Sequence, residues 1–251
     1  MAFRELFFFS LRRDVASRHL AALFAVGWAA STSLTALGYT FAAQVTAINV
    51  VALVASLLSV MASTSMTVND RDGVLELYLA QWGRGRYALS RAAANLTTSL
   101  ILSAAVAAPY VAARGSPPVL LSAVMSAGVS SLLGTYLALV SKNKDRAYAL
   151  AVSAWTGLAL AYDVLIAFIS LIMPLGEEAL AALQLINPLK LGPLAATAAV
   201  DPYLLTMGAL GEYVVAHWGQ GGVYYLAASL YLAWATALVF AVYDTAKRAD
   251  L

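Results

Sequence analysis

The sequence predicts an all-α membrane protein with six transmembrane helices. Hydrophobic residues make up 62% of the 251 residues and charged residues only 11%, whereas soluble domains keep about a quarter of their residues charged. The charges are clustered, and the apolar runs between clusters reach about 18 residues or more, enough to cross about 30 Å of hydrocarbon as helices. The predicted spans are 20–43, 45–68, 92–113, 118–140, 147–173 and 222–243.

Basic residues lie almost entirely on one side of these spans. If the N-terminus is cytoplasmic, the inside segments contain every Lys and Arg except Arg114 and Lys190, as the positive-inside rule requires. We therefore predict a multi-pass protein of the cytoplasmic membrane with both termini in the cytoplasm. Residues 1–19 lack a short apolar core followed by a small-residue cleavage site, so we expect them to be retained.

The segment 174–221 between the fifth and sixth spans is interrupted by glycine, proline and acidic residues. A seventh span there would place Lys247 and Arg248 outside, against the charge bias. We therefore predict an extracytoplasmic segment of short helices at the membrane surface, one of them opened by Asn187 and Pro188.

Small and polar residues recur on one face of three of the spans. Such residues let helix backbones approach closely and exchange hydrogen bonds. A polar-lined pathway would use the same positions, but packing is the favoured interpretation. The residues are Gly27, Ser31 and Gly38, then Ser56, Ser59, Ser63 and Thr67, then Ser126, Ser130 and Gly134.

Chemistry-bearing motifs of soluble enzymes do not occur in the sequence. There is no cysteine, no phosphate-binding glycine loop and no His-Glu-x-x-His, and the two histidines, His19 and His217, are far apart. Met61 and Met66 lie five positions apart and therefore do not share a helix face as a soft-metal site would need. We expect no enzymatic activity, no metal site, no bound cofactor and no nucleic-acid partner for this chain.

The segment 70–86 joins the second and third spans on the predicted cytoplasmic side. Asp70 and Asp72 precede an apolar turn or two, which Trp82, Gly83 and Arg84 interrupt. A short helix along the membrane surface fits this order, with carboxylates near its positive end and apolar side chains for a groove on a partner. An ordinary interfacial loop fits the spacing equally well.

This segment resembles the signature of type-2 ABC transporter permeases. Val74, Tyr78 and Trp82 depart from that signature, which has Thr, Leu and Pro at these places. The resemblance implies a coupling helix seated in a cytoplasmic ABC ATPase, which would bind ATP and Mg²⁺. It also implies an elbow helix at 1–19 and a homodimer. The expected ATPase-coupling residues are Asp70, Asp72, Gly73, Leu75, Glu76, Leu77, Leu79, Gln81 and Arg84.

A narrower resemblance covers nearly the whole chain. Trp155, the run 161–165 and the run 185–188 resemble the fifth span and following segment of NosY-type permeases, which serve copper-site maturation of nitrous-oxide reductase. In that family an acidic residue is usual where Lys190 stands here. The resemblance implies an extracytoplasmic accessory protein on 174–221 and a process that delivers copper or sulfur. The candidate contact residues are Glu177, Glu178, Asn187 and Pro188.

Asp163 is the one carboxylate near the middle of a predicted span, about 15 Å from its outer end. A lone charge there costs on the order of 3 kcal/mol, so we expect the side chain to face the bundle and to be protonated. It is a candidate gate or transmission element; a carboxyl hydrogen-bonded for packing is the alternative. For the chain as a whole, a general type-2 exporter of lipid or drug and a membrane scaffold without energy coupling remain alternative functions.

Overall fold

The computed structural model describes residues 2–15, 17–38, 40–73, 83–173 and 175–248, and every regular element among them is helical. Breaks in the helices fall at glycine, proline and polar residues, as expected from their backbone preferences. The α-helices are α1 (Ala2–Val15), α2 (Arg18–Leu34), α3 (Phe41–Gly73), α4 (Arg84–Arg114), α5 (Pro117–Val140), α6 (Lys144–Thr156), α7 (Tyr162–Ile172), α8 (Glu177–Ile186), α9 (Pro188–Val200) and α10 (Ala209–Arg248), and α10 is kinked at Gly219, which has a φ of 67°. Short 3₁₀ helices cover Thr35–Leu37 and Leu205–Met207, and a π-helix, Gly157–Ala161, joins α6 to α7.

The described part of the chain contains five helical stretches that are long and apolar enough to cross a membrane. The pair α8 and α9 satisfies the same criterion together, although it bends by 107° at Asn187. The protein is therefore a multi-pass helical membrane protein, and α2, with 17 residues, is shorter than these five stretches. The five stretches are Phe41–Asp70, Arg84–Arg114, Pro117–Val140, Lys144–Ile172 and Leu210–Arg248.

The first predicted span, 20–43, is shorter in the structure. Helix α2 has 17 residues, about 25 Å in length, and the 3₁₀ turn after it stops at Leu37. Gly38 then takes a φ of 89°, a left-handed conformation that residues with a Cβ rarely adopt. The extension of this span to residue 43 is therefore wrong, and residues 41–43 begin α3 instead.

Three helices, α3, α4 and α5, form the centre of the bundle, and their contacts use small polar residues. The Asn95 side chain donates hydrogen bonds to Thr67 Oγ1 at 2.9 Å and to Thr135 Oγ1 at 2.8 Å. Ser63 and Ser131 hydroxyls lie 2.8 Å apart. A Cβ on Gly134 would come within 2.5 Å of the Val60 carbonyl oxygen, so α3 and α5 approach backbone to backbone.

The helix ends define two faces of the bundle. We call the face formed by residues 10–18, 68–73, 83–91, 138–147 and 242–248 the basic end. Leu6, Tyr87, Leu139 and Ala246 share one apolar cluster there, which brings α1, α4, α5 and α10 together. The chain turns at 38–41, 114–117, 173–177 and 200–209 lie at the opposite end.

Within the predicted extracytoplasmic segment 174–221, helix α9 is packed into the bundle. Ten of the thirteen α9 residues are buried, because α9 packs against α3, α5 and α10. Gly192 allows this approach: a Cβ there would lie 2.9 Å from the Ser122 carbonyl oxygen of α5. The turns before α8 and after α9 both lie at the opposite end, so we call α8 and α9 the re-entrant pair.

The span formed by α6, the π-helix and α7 lies at the edge of the protomer. Only 6% of its most apolar window is buried, against 67% for α5. Large apolar side chains such as Leu160, Val164 and Phe168 are exposed along it. This span has most of its surface free to meet lipid or another protein.

Candidate functional site

A cluster of charged side chains joins α1, α3 and α4 at the basic end. Arg91 Nη1 donates to Asp14 Oδ2 at 2.8 Å, and Arg91 Nε lies 3.2 Å from Asp70 Oδ2. The Tyr87 hydroxyl also donates to Asp70 Oδ2 at 3.2 Å. Arg13 pairs with Asp70 and lies 3.3 Å from Asp14. We call these five residues the basic-end cluster.

The basic-end cluster is almost entirely removed from solvent. Asp70, Arg91 and Asp14 are 0%, 1% and 4% exposed, and only Arg13 reaches the surface, at 33%. Burial opposes the charge on Arg13, but Asp70 and Asp14 outweigh it, so the pKa of Arg13 is raised above its ordinary value. Two cations thus balance two anions, and removal of any one partner leaves an uncompensated buried charge.

Local sequence explains how α1 reaches this cluster. Leu6, Ser10 and Asp14 recur at a spacing of four and are the buried face of α1. That face packs against α4, where Ala88 and Ala92 leave room beside Arg91. Helix α1 is therefore fastened to the bundle by an apolar contact at one end and by an ion pair at the other.

The predicted coupling segment lies partly outside the described residues. Leu75, Glu76, Leu77, Leu79 and Gln81 are among the residues that the structure does not describe. The positions on either side are described: α3 continues through Asp70, Asp72 and Gly73, and α4 begins at Arg84, which is exposed.

Asp70 requires a correction. The sequence suggested a carboxylate near the start of a short surface helix, whereas Asp70 lies in the final turn of the long helix α3. Its carboxylate is buried against Arg13, Tyr87 and Arg91, so it faces the bundle and not a partner. Helix α3 continues past the predicted end of the span at 68, and these cations compensate the buried charge of Asp70.

A second charged group, Asp163 with Lys190, lies at membrane depth. Asp163 is nine residues before the end of α7, about 14 Å along the helix. Its carboxylate pairs with the ammonium of Lys190 on α9. The side chains are 48% and 33% exposed, so Asp163 faces α9 but is only partly enclosed by the described part of the chain. Sequence reasoning placed Lys190 outside the membrane and thus missed the partner.

The π-helix ends two residues before Asp163. Hydrogen bonds connect it and Tyr162 to α8 and to the α8–α9 bend. Asn187 Nδ2 donates to the Leu158 carbonyl at 2.7 Å, while the Tyr162 hydroxyl donates to the Leu183 carbonyl at 2.6 Å. One π-turn displaces the regular carbonyl ladder and is frequent at functional sites. Here the π-helix leaves the Leu158 carbonyl able to accept the hydrogen bond from Asn187 at the α8–α9 bend.

A cavity of about 270 Å³ lies beside this pair, between α3, α7 and α9. Both charged residues line it, together with Asn49 and Ser56 of α3. Trp155 Nε1 donates to Ser56 Oγ at 2.9 Å, at the deeper side of the cavity. We call this region the mid-membrane pair and its cavity.

Of the four residues predicted to form an extracytoplasmic partner face, two are exposed and two are buried. Glu177 and Glu178 are exposed in the first turn of α8, as a docking face needs. Asn187 and Pro188 are buried at the α8–α9 bend, because Asn187 caps α9 and holds the π-helix. The latter two residues therefore position the re-entrant pair and form no part of a surface.

Sequence reasoning missed most of the basic-end cluster. Arg13, Asp14 and Tyr87 were not singled out, and Arg91 was counted only as an inside charge. One signal was available: Asp14 continues the apolar face of α1, and Arg91 falls within the apolar pattern of α4. Among the described residues no group of three or more His, Asp or Glu is arranged to hold a metal ion.

Comparison with protein-family models and with curated proteins finds no match to this sequence.

Proposed function

We propose that this chain is the membrane subunit of an ABC transporter, coupled through residues 70–86 to a cytoplasmic ATPase that binds ATP and Mg²⁺. The observation that carries the proposal is the basic-end cluster, which ties together the two helices flanking that segment. Asp70 ends α3, Arg91 lies near the start of α4, and the two are joined through a buried ion pair. Both termini and this segment would then be cytoplasmic, with the basic end inside.

The cluster gives the proposed coupling a mechanical route. A force applied between α3 and α4 acts on two helices whose ends are joined and whose lengths are in contact through the centre of the bundle. The ends therefore move together with α1, which shares the same ion pairs through Arg13 and Asp14. In this role α1 acts as the elbow helix, and ATPase closure shifts the helices as a unit.

The mid-membrane pair supports the homodimer in this proposal. Charges half exposed about 14 Å inside a span are costly against lipid. A second copy that covers the α7 face, or encloses water there, removes that cost. The little-buried span α6–α7 supplies the apolar surface around the pair for such a contact.

The process at the opposite end is proposed from the narrower resemblance. The membrane subunit would transmit ATPase closure to an accessory protein docked beside Glu177 and Glu178, in the maturation of the copper site of nitrous-oxide reductase. Either copper or a sulfur species would be delivered. The chain itself would hold neither ATP nor the cargo.

The ATPase contact is tested by co-purification of the full-length chain with the ABC ATPase encoded beside it. The double change Glu76→Ala with Leu77→Lys should reduce the recovered complex at least tenfold, because it removes an anchor and places a charge in a buried contact. Glu177→Ala with Leu205→Lys makes the same chemical changes on exposed residues at the opposite end. That control should leave the complex intact.

An unchanged complex with the first variant would contradict the coupling segment. Failure to form any ATPase complex with the wild-type chain would instead favour the scaffold. The accessory partner is tested separately: Glu177→Lys with Glu178→Lys should abolish its binding and spare the ATPase. If vesicles containing the charge-reversed variant export a tracer as fast as vesicles containing the wild-type chain, the general exporter is favoured instead.

A further inference from the structure

A groove runs along the outside of α3 at the basic end, between α2 and α6, and has a volume of about 490 Å³. Its floor is formed by Met61, Ala62 and Met66 of α3, and one wall by Leu20 and Leu23 of α2. It belongs neither to the segment 70–86 nor to the mid-membrane pair.

The polarity of the groove changes along its length. The part nearest the basic end is lined by Arg13, Asp14, Ser17, His19, Asn69 and Tyr148, and the Asp14 carboxylate there is paired with Arg91. From there inward the lining is apolar apart from Ser65, and it ends at Val26 and Met61.

The length of the groove matches one leaflet. Nine residues of α2 separate Ser17 from Val26, a rise of about 13 Å, close to half of the hydrocarbon thickness of about 30 Å. A groove with a polar mouth at headgroup height and an apolar body one leaflet deep has the amphipathic profile of a phospholipid. A water-soluble ligand would leave the apolar body unmatched.

The net positive charge around the groove mouth favours a lipid with an anionic headgroup. The exposed carboxylates on α1 and α6 are Glu5 and Asp145, while Asp14 is buried against Arg91. They are outnumbered by exposed cations on α1, α2 and the stretch leading into α6, and basic pockets of this kind between helices favour anionic lipids. These cations are Arg4, Arg12, Arg18, Lys142, Lys144 and Arg146.

We propose that this groove binds an anionic phospholipid of the leaflet at the basic end, with one acyl chain along α3 and the phosphate beside Arg13 and His19. The bound lipid contacts the basic-end cluster, because Arg13 lines the groove and also pairs with Asp70. Lipid composition would thereby act on the helix end that precedes residues 74–82.

Native mass spectrometry of the purified full-length chain tests this site without any ATPase. The chain is stripped of lipid in detergent and offered equal amounts of phosphatidylglycerol and phosphatidylcholine. The wild-type chain should retain phosphatidylglycerol at least fivefold more than phosphatidylcholine. Equal retention of the two lipids would overturn the proposal, and so would displacement of the lipid by inorganic phosphate.

The location is tested by filling the groove. Leu23→Trp should reduce retained phosphatidylglycerol at least fivefold, whereas Leu232→Trp, on an exposed position of α10, should leave retention unchanged. Retention by Leu23→Trp at the wild-type level would overturn the site.

If Leu23→Trp fails to fold, Arg18→Gln with His19→Gln serves as the second variant, since both side chains are exposed. It should keep the wild-type melting temperature and lose the preference for phosphatidylglycerol. A preference that persists in this variant would also overturn the proposal. Failure of the coupling segment would leave all of these results unaffected.

Discussion

The basic-end cluster and the mid-membrane pair use the same chemistry, carboxylates paired with cations, in opposite surroundings. Asp70 and Arg91 are at most 1% exposed and lie where three helices converge, whereas Asp163 and Lys190 are 48% and 33% exposed. In the first group only Arg13 reaches the surface, while Asp14, Asp70 and Arg91 are enclosed by their own chain. The second has an open side that its own chain does not cover.

This difference indicates that the basic-end cluster is a fixed joint between helices, whereas the mid-membrane pair is a contact that can open and close. Breaking a buried ion pair leaves a charge without water, so the basic-end cluster stays closed unless its helices separate. The mid-membrane pair joins α7 to α9 and is open to whatever lies outside the protomer. We therefore expect motion to originate at the joint and to be expressed at the pair.

The largest effect should come from opening the joint. Arg91→Met keeps the length of the side chain but leaves Asp14 and Asp70 with Arg13 alone, which should lower the free energy of unfolding by about 3–5 kcal/mol. The measurement is thermal unfolding of the purified chain in detergent. Arg86→Met, on an exposed position of the same helix, is the matched control and should unfold like the wild type. Equal melting temperatures for the two variants would show that the cluster is not a joint.

A smaller effect is expected from loosening the close contact between α3 and α5. Gly134→Ala places a Cβ 2.5 Å from the Val60 carbonyl oxygen, so α3 and α5 must move apart. Overpacking of this kind costs about 1–3 kcal/mol. Gly157→Ala, where a Cβ meets nothing within 4 Å, is the control. If both variants melt alike, close approach of α3 and α5 does not limit stability.

Most of the helical architecture was predictable because apolar length and charge position are one-dimensional properties. The spans around α4, α5, α6–α7 and α10 follow directly from runs bounded by charge. The end of α2 was not predictable to the residue, since apolar residues continue past Gly38 and only its backbone conformation ends the helix. The small residues of α3 and α5 gave the correct prediction of close packing, because few other arrangements place serine and glycine on one helix face.

The two charged groups were less predictable because both depend on contacts between distant positions. Asp70 and Asp14 are 56 residues apart, yet both bind Arg91. Charge clustering assigned Lys190 to an outside loop, but α9 returns into the bundle and brings its side chain to Asp163. A polar residue within an apolar periodic face, such as Asp14 in α1, is the sequence signal for such pairs.

The smallest effect on stability, and the most informative one for the comparison, should come from the mid-membrane pair. Lys190→Met should lower the free energy of unfolding by less than Arg91→Met does, because it leaves unpaired a carboxylate that is 48% exposed, whereas Arg91→Met leaves buried ones. Hydrogen exchange should nevertheless rise at 183–190, since α9 loses its link to α7 while Asn187 still holds Leu158. Lys142→Met, an exposed lysine at the basic end, should leave exchange there unchanged. Exchanging the charges with Asp163→Lys and Lys190→Asp should restore protection, because the pairing depends on opposite charge and not on which helix carries it. Unrestored protection would mean that the pair is a by-product of packing, and the distinction between joint and changeable contact would then rest on the π-helix alone.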